Sequence, residues 1–326
     1  MQAGYAEEAE AWRGWLIRAV AGHPSQVQPL YTVLGEPRID EWEVPWLTGF
    51  GGQGPVRIGN AAFSQLQLDC FGEVIDALHH ARRIELGSSD AAWDLQCALL
   101  EHLTTIAGQP DRGIWEVRGP KQHFTHSQVM MWTAFDRGVA AVEHFGLDGP
   151  AEAWRTERER LREEICSHCF DEEIGAFVQS RESKVLDAAT LLMPQVGFLP
   201  ADDPRMVGTV EAIERRLMTN GLVRRYDTRQ TDDGLPPGEG VFLPCSFWLA
   251  DNLVLQGRCE EGEEMFSRLL RLRNDVGLLA EEYDVAGRAQ LGNFPQALSH
   301  VALVGTAYNL FKSHGPATER SKRKKG

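Results

Sequence analysis

Apolar residues recur at helical spacing along nearly the whole chain, and no convincing run of period-two alternation bounded by hairpin turns interrupts them. That periodicity restricts the chain to an all-α fold. Helices are expected over about 6–22, 59–83, 88–107, 126–145, 149–170, 186–197, 203–219, 240–256, 258–274 and 294–312. They are of two kinds. "VMMWTAFDRGVAAV", "LDAATLLMPQVGF", "VFLPCSFWLADNLVL" and "ALSHVALVGTAYNLF" are apolar on nearly every side, whereas "AEAWRTERERLREEI" and "EEGEEMFSRLLRLR" carry one apolar stripe opposite a charged face. A helix apolar all round must be buried, and a striped one lies outside. Inner and outer helices therefore take turns. Loops from an inner helix to the next outer one are about one to five residues long, and those leading back inward run from about 15 to over 30. Short connections enforce antiparallel hairpins, and a closed ring of hairpins, an α/α toroid, is the simplest arrangement that buries the inner set.

Composition narrows the partner. With 47 acidic against 33 basic side chains the formal charge is -14, which repels phosphate backbones and excludes nucleic acid as the expected partner. A neutral small molecule fits better. No apolar run reaches the roughly 18 residues of a membrane span, and "MQAGYAEEAEAW" lacks the layout of a signal peptide, so a cytoplasmic protein with no membrane partner is expected. The one basic cluster, Lys322 to Lys325, closes a stretch at 313–326 that reads as a disordered tail after a single domain at 1–312. Six irregularly spaced cysteines do not read as a disulfide framework. Cys166 and Cys169 flank His168, but no second ligand pair has matching spacing and the segment continues a striped helix. No metal and no cofactor is expected.

Function is expected in the long loops. If all inner helices point one way, every long loop preceding one emerges on the same face, where binding and catalytic groups collect on a rigid scaffold. That face would gather Trp46, Arg57, Trp115, Glu116, Glu239, Glu281, Glu282 and Tyr283. Acids and aromatics suit a sugar: flat rings stack on pyranose C–H faces while carboxylates bond hydroxyls. In "DRGIWEVRGPKQHFTHS" the acid Glu116 directly follows Trp115, and an acid packed against an aromatic wall has its charged form disfavoured, as a general acid requires. Glu281 or Glu282 in "GLLAEEYD" supplies a second carboxylate from another loop, so the pair meets the demand of glycoside hydrolysis for an acid and a base or nucleophile. Alternatives stand beside these roles. Arg57 holds sugar hydroxyls or closes a loop salt bridge; Glu239 bonds substrate or favours a helix N-terminus; Trp46 and Trp115 are sugar platforms or wedges between loops; His126 and His300 are satisfied core histidines.

"GIWEVRG", "FTHSQVMMWTAFDRG", "LDAATLLMPQVGFLPADDPR", "LPPGEGVFLPCSFWLADNL", "LLAEEYD" and "LGNFPQALSHVAL" together resemble the catalytic domain of glycoside hydrolase family 15, the glucoamylases and bacterial trehalase-like enzymes, up to about residue 312. The resemblance implies an (α/α)6 barrel that releases glucose from α-glucosides with inversion. It implies Glu116 as general acid, Glu281 as general base and Glu282 as neighbouring polar lining, although a swap between the last two stays open. Inversion calls for carboxyl groups roughly 6.5 to 9.5 Å apart. The family also has an upstream β-sandwich and an inner helix with a Trp-Arg-Asp motif; no Arg-Asp dipeptide occurs here, Gly54 stands where relatives have Arg, and Gln128 where many have Lys. The chain thus reads as truncated at its N-terminus, with an incomplete barrel that a second copy or an upstream fragment covers and with impaired activity. A catalytically inactive remnant that binds sugar or pairs with a partner chain is the alternative. A terpene-cyclase or zinc-dependent barrel is disfavoured, because "TDDG" and "ADDPR" supply no Asp-rich metal motif on a helix.

Overall fold

The computed structural model describes residues 4–20, 27–52, 54–87, 89–234 and 238–311, so the tail expected at 313–326 lies outside the described residues. Among them, the α-helices in chain order are α1 (Ala6–Val20), α2 (Asp69–Arg83), α3 (Asp90–Ile106), α4 (Thr125–Phe145), α5 (Ala151–His168), α6 (Pro204–Arg216), α7 (Leu243–Leu255), α8 (Cys259–Leu270) and α9 (Ala297–Phe311). Local chemistry sets several starts. Ser89 caps α3 by accepting from the Ala92 N–H, and Asp203 caps α6 by accepting from Arg205, with Pro204 in the first turn where its missing N–H loses nothing.

Two expected helices differ. The stretch expected at 59–83 is helical only from Asp69; upstream, Asn60 caps a 3-10 turn at Ala61–Ser64, and the extended backbone of Gln65 ends it. The stretch expected at 186–197 is a 3-10 turn at Ala188–Leu192 capped by Asp187, because Pro194 has no N–H for the next turn and its ring crowds the preceding one. It is buried, as its apolar sequence demands. Short strands that are too brief to register as alternation also form. They are β1 (Trp42–Glu43), β2 (Arg57–Ile58), β3 (Phe170–Asp171), β4 (Ala176–Phe177), β5 (Met218–Thr219), β6 (Leu222–Val223), β7 (Val241–Phe242), β8 (Glu282–Asp284) and β9 (Ala289–Leu291). β1 pairs with β2, β3 with β4 and β5 with β6, each antiparallel, and β7, β8 and β9 form one antiparallel sheet.

The chain divides into two compact units, residues 1–117 with 130–161 and residues 118–129 with 162–326. In the first, Phe71, Ile75 and Leu78 of α2, Leu95, Leu99, Leu100 and Leu103 of α3, and Met130 to Phe135 of α4 form the core. A Cβ at Gly72 would stand 2.2 Å from the Met130 carbonyl oxygen, so α2 and α4 meet backbone to backbone where only glycine fits. Arg137 crosses this core and donates to Asp76 at 2.7 Å and to Asp136 at 2.7 Å, so its buried charge is paired on two sides. In the second unit, every residue of α7 from Leu243 to Leu253 is buried, with α8 and α9 packed against it.

α9 reverses the expectation for an all-round apolar helix. Its polar residues face inward: Ser299 donates to the Ala280 carbonyl, Thr306 to the Phe247 carbonyl and Asn309 to the Asp251 carboxylate. Leu298, Val301, Val304 and Phe311 are exposed, Val301 at 68% and Phe311 at 84%. The acceptors that draw α9's polar face inward are the Phe247 carbonyl and the Asp251 carboxylate of α7 and the Ala280 carbonyl ahead of β8.

Two buried histidines make the fold acid-sensitive. Burial, then the Arg137 charge, brings His79 down to about 3, and burial alone brings His126 down to about 4; neither ring nitrogen of His126 has a hydrogen-bond partner among the described residues, so it is buried without the satisfaction expected of it. A histidine held neutral in the fold binds its proton more tightly when unfolded, so the stability it contributes is present above its unfolded value and is lost as pH falls toward the folded one. Between about pH 7 and about pH 5 the loss should be on the order of 2 kcal/mol per histidine. Urea unfolding at the two pH values checks this: His126→Leu should flatten the decline by one histidine's share.

Candidate active site

In the first unit the Glu116 segment is clamped to the chain that leads into α2. Arg112 N–H donates to the Leu66 carbonyl at 3.0 Å, Leu68 N–H to Asp111 Oδ2 at 2.9 Å, and Gln65 Nε2 to the Glu116 carbonyl at 3.2 Å. Trp115 is only 8% exposed, while Glu116 beside it is half-buried. Glu116 has φ of 54°, a left-handed backbone that costs a residue with a Cβ roughly 1 to 2 kcal/mol and that the clamp holds in place. Its Oε2 accepts from Asn60 Nδ2 at 3.1 Å. Fully buried Asp69 lies close by; burial, then the charges of Asp111, Glu73 and Glu116, pushes its carboxyl well above the usual range.

The second unit holds the other acids around the sheet of β7, β8 and β9. Glu281 directly precedes β8, and its Oε2 accepts twice from Asn293, from the backbone N–H and from Nδ2, each at 3.1 Å. Glu282 lies in β8 opposite Phe242 and accepts from the Gly240 N–H at 2.9 Å. Burial, reinforced by the nearby Glu239 charge, raises the Glu282 carboxyl above the usual range. Glu239 does not sit at a helix N-terminus, since β7 intervenes before α7. Instead both its oxygens accept from Arg225, whose guanidinium also lies 4.8 Å from the centre of the Tyr226 ring. Beside this pair opens a cavity of about 330 Å³ lined by Arg224, Tyr226, Asp227, Thr228, Arg229, Gly238 and Glu239. That volume is at the small end of ligand sites and suits a molecule the size of one sugar ring.

The sequence candidates thus fall into two groups of four. Trp46, Arg57, Trp115 and Glu116 belong to the first unit, and Glu239, Glu281, Glu282 and Tyr283 to the second. Trp46 is 71% exposed, with its ring 6.0 Å from that of Trp42. Arg57, in β2, pairs with Glu41 at 3.6 Å and Glu43 at 3.2 Å. Tyr283 pairs with Val241 across the sheet. Of the remaining candidates, His300 Nε2 accepts from the Leu279 N–H at 3.3 Å, Gln128 donates to the His123 carbonyl and accepts from Arg181, and Cys166 and Cys169 are free thiols. Among the described residues no group of His, Cys, Asp or Glu could hold a metal ion.

Asn60, Gln65, Arg225, Gly292 and Asn293 escaped the sequence reading. A signal existed: the chain has two Gly-Asn dipeptides, in "RIGNAA" and "LGNFP", and each places a left-handed glycine ahead of the asparagine that holds one of the two acids.

Residues 1–308 match glycosyl hydrolases family 15. The chain belongs to that family. Within it, the chain is 40% identical over 296 residues to a trehalase of Mycobacterium tuberculosis, covering 90% of this chain and 43% of that protein. It is 33% identical over 308 residues to a trehalase of Thermoplasma acidophilum, covering 94% and 52%. The chain therefore spans about half the length of the curated relatives it matches. The fold is that of solved glycosidases: one superposes with a TM-score of 0.70 at 18% identity over 94% of this chain and 83% of its own. A bacterial glucoamylase complexed with acarbose gives 0.70 at 12% identity over 95% and 48%. Among the described residues no helix is long and apolar enough to cross a membrane.

For this family 15 chain, Gly292 offers a structural test of the Glu281 site. Its φ is 75°, and a Cβ there would stand 2.8 Å from Glu281 Oε2. Gly292→Ala should displace the Glu281 carboxylate from Asn293 and lower stability by about 1 kcal/mol, read by crystallography and by thermal unfolding.

Proposed function

We propose that this chain hydrolyses an α-glucosidic bond with inversion, as the catalytic domain at 1–312 of a glucoamylase- or trehalase-like enzyme. Glu116 is the general acid and Glu281 the general base. Glu116 gives its proton to the glycosidic oxygen as the bond to the anomeric carbon breaks. Glu281 takes a proton from the water that attacks that carbon from the other side, and β-glucose leaves. The observation that carries this reading is that both acids have one oxygen held by an asparagine amide while Oε1 of each has no partner among the described residues. Glu282 stays the neighbouring polar lining that the family resemblance implies, its carboxylate accepting from the Gly240 N–H within the sheet.

The trehalases among its relatives favour trehalose over malto-oligosaccharides and isomaltose as the substrate. Trp46, Trp115, Arg57, Glu239 and Tyr283 would line the sugar site, with Arg225 holding Glu239. A cytoplasmic setting goes with this reading. Kinetics on trehalose and maltose test the roles: Glu116→Gln and Glu281→Gln should each lower kcat by about 10²- to 10⁴-fold. Polarimetry should find the β-anomer first, and a crystal structure with a bound sugar should separate the two carboxyl groups by roughly 6.5 to 9.5 Å.

The chain's span of about half its relatives favours a second reading, in which it binds sugar or pairs with a partner without turnover. Sugar binding by calorimetry with no glucose released would support it. In either reading the exposed apolar face of α9 is covered by a second copy or by an upstream segment. Sedimentation at micromolar concentration should then reveal self-association, and Val301→Lys should abolish it; a wild-type monomer removes the second-copy cover.

A further inference from the structure

We infer that Asn60 is a positioning residue for Glu116: its side-chain amide occupies Oε2 and so assigns the delivery of the proton to Oε1. This rests on the acid role proposed for Glu116. The orientation of the amide follows from its own bonds. Asn60 Oδ1 accepts from the Ala62 N–H at 2.9 Å as the cap of the 3-10 turn, so the other end of the amide, Nδ2, is the end that faces Glu116. The backbone around it has little freedom. Asn60 N–H donates to the Ile39 carbonyl at 3.3 Å, and a Cβ on Gly59 would fall 2.1 Å from the Asp40 carbonyl oxygen, so no side chain fits one position upstream. Glu116 is held equally firmly from its own side by the Gly113 carbonyl, which accepts from its N–H at 3.1 Å, and by Gln65.

An amide N–H can only donate. In a neutral carboxyl the carbonyl oxygen is the stronger acceptor, so the amide selects Oε2 as carbonyl and directs the proton to Oε1, the oxygen without a partner among the described residues. As the reaction proceeds, that proton passes to the glycosidic oxygen, the bond from this oxygen to the anomeric carbon breaks, and Glu116 is left as a carboxylate. The Asn60 bond then runs to a charged acceptor and becomes stronger than it was to the neutral acid. An interaction that strengthens as the proton departs lowers the barrier rather than the ground state, so Asn60 should act on kcat more than on KM.

The discriminating variants are Asn60→Ser and Asn60→Asp. Both keep an oxygen for the Ala62 N–H and lose the Nδ2 amide that meets Glu116; serine adds no charge, and its shorter hydroxyl is engaged by the cap. On trehalose or maltose, kcat should fall about 10- to 100-fold with KM changed less than about threefold. On α-glucosyl fluoride, whose leaving group departs without a proton, the fall should be less than about threefold. Equal losses on the two substrates, or no loss on either, would overturn the inference while Glu116→Gln behaves as a missing acid should. Wild-type kcat in Glu116→Gln would instead defeat the acid role itself. If this chain turns over neither substrate, the crystal structure of Asn60→Ser decides. A Glu116 carboxyl rotated away or in two orientations supports the inference, and an unchanged single orientation overturns it.

Discussion

A helix that is apolar on every side has to be enclosed, and the burial of α4 and α7 is the constraint on which each unit of this molecule depends. In the second unit α7 is buried along almost its whole length, and its neighbours adapt to it: α9 turns threonine and asparagine inward because α7 offers the Phe247 carbonyl and Asp251 as acceptors, and turns Ser299 inward onto the Ala280 carbonyl ahead of β8. In the first unit Gly72 lets α2 touch the backbone of α4 at Met130, and the paired charges of Arg137, Asp76 and Asp136 are carried within the same packing. Burial of this kind is non-directional, so the precision of the site has to come from elsewhere.

It comes from backbone held in unusual conformations by polar clamps. Glu116 is a β-carbon-bearing residue in the left-handed region, and Glu281 sits against a glycine that leaves no room for a methyl group. Each is secured by an asparagine that follows a left-handed glycine. The two carboxyls meet different numbers of donors, one on Glu116 and two on Glu281. Arg225 performs a related task for Glu239, holding both of its oxygens in a fixed orientation.

Some of this was legible in the chain and some was not. The existence of most helices followed from their period, and α3, α4 and α5 lie within a few residues of the expected ranges. The start of α2 did not, because the apolar residues of 61–68 have helical spacing but belong to a 3-10 turn and an extended segment tied to Asp111 and Arg112. Glu239 was placed at a helix N-terminus by its position before an apolar run; the intervening strand β7 exists only because β8 pairs with it from forty residues away.

The sequence by itself determined the helical class, the enclosed character of α4 and α7, the shortage of positive charge and the strings that mark family 15, because each depends on local period, composition or order along the chain. Only the tertiary structure decided which face of α9 is buried, that Glu116 is left-handed, and which amide meets which carboxylate oxygen. Those outcomes depend on pairs such as Asn60 with Glu116 and Arg225 with Glu239, whose partners are distant in the chain and satisfy each other only once the fold has closed.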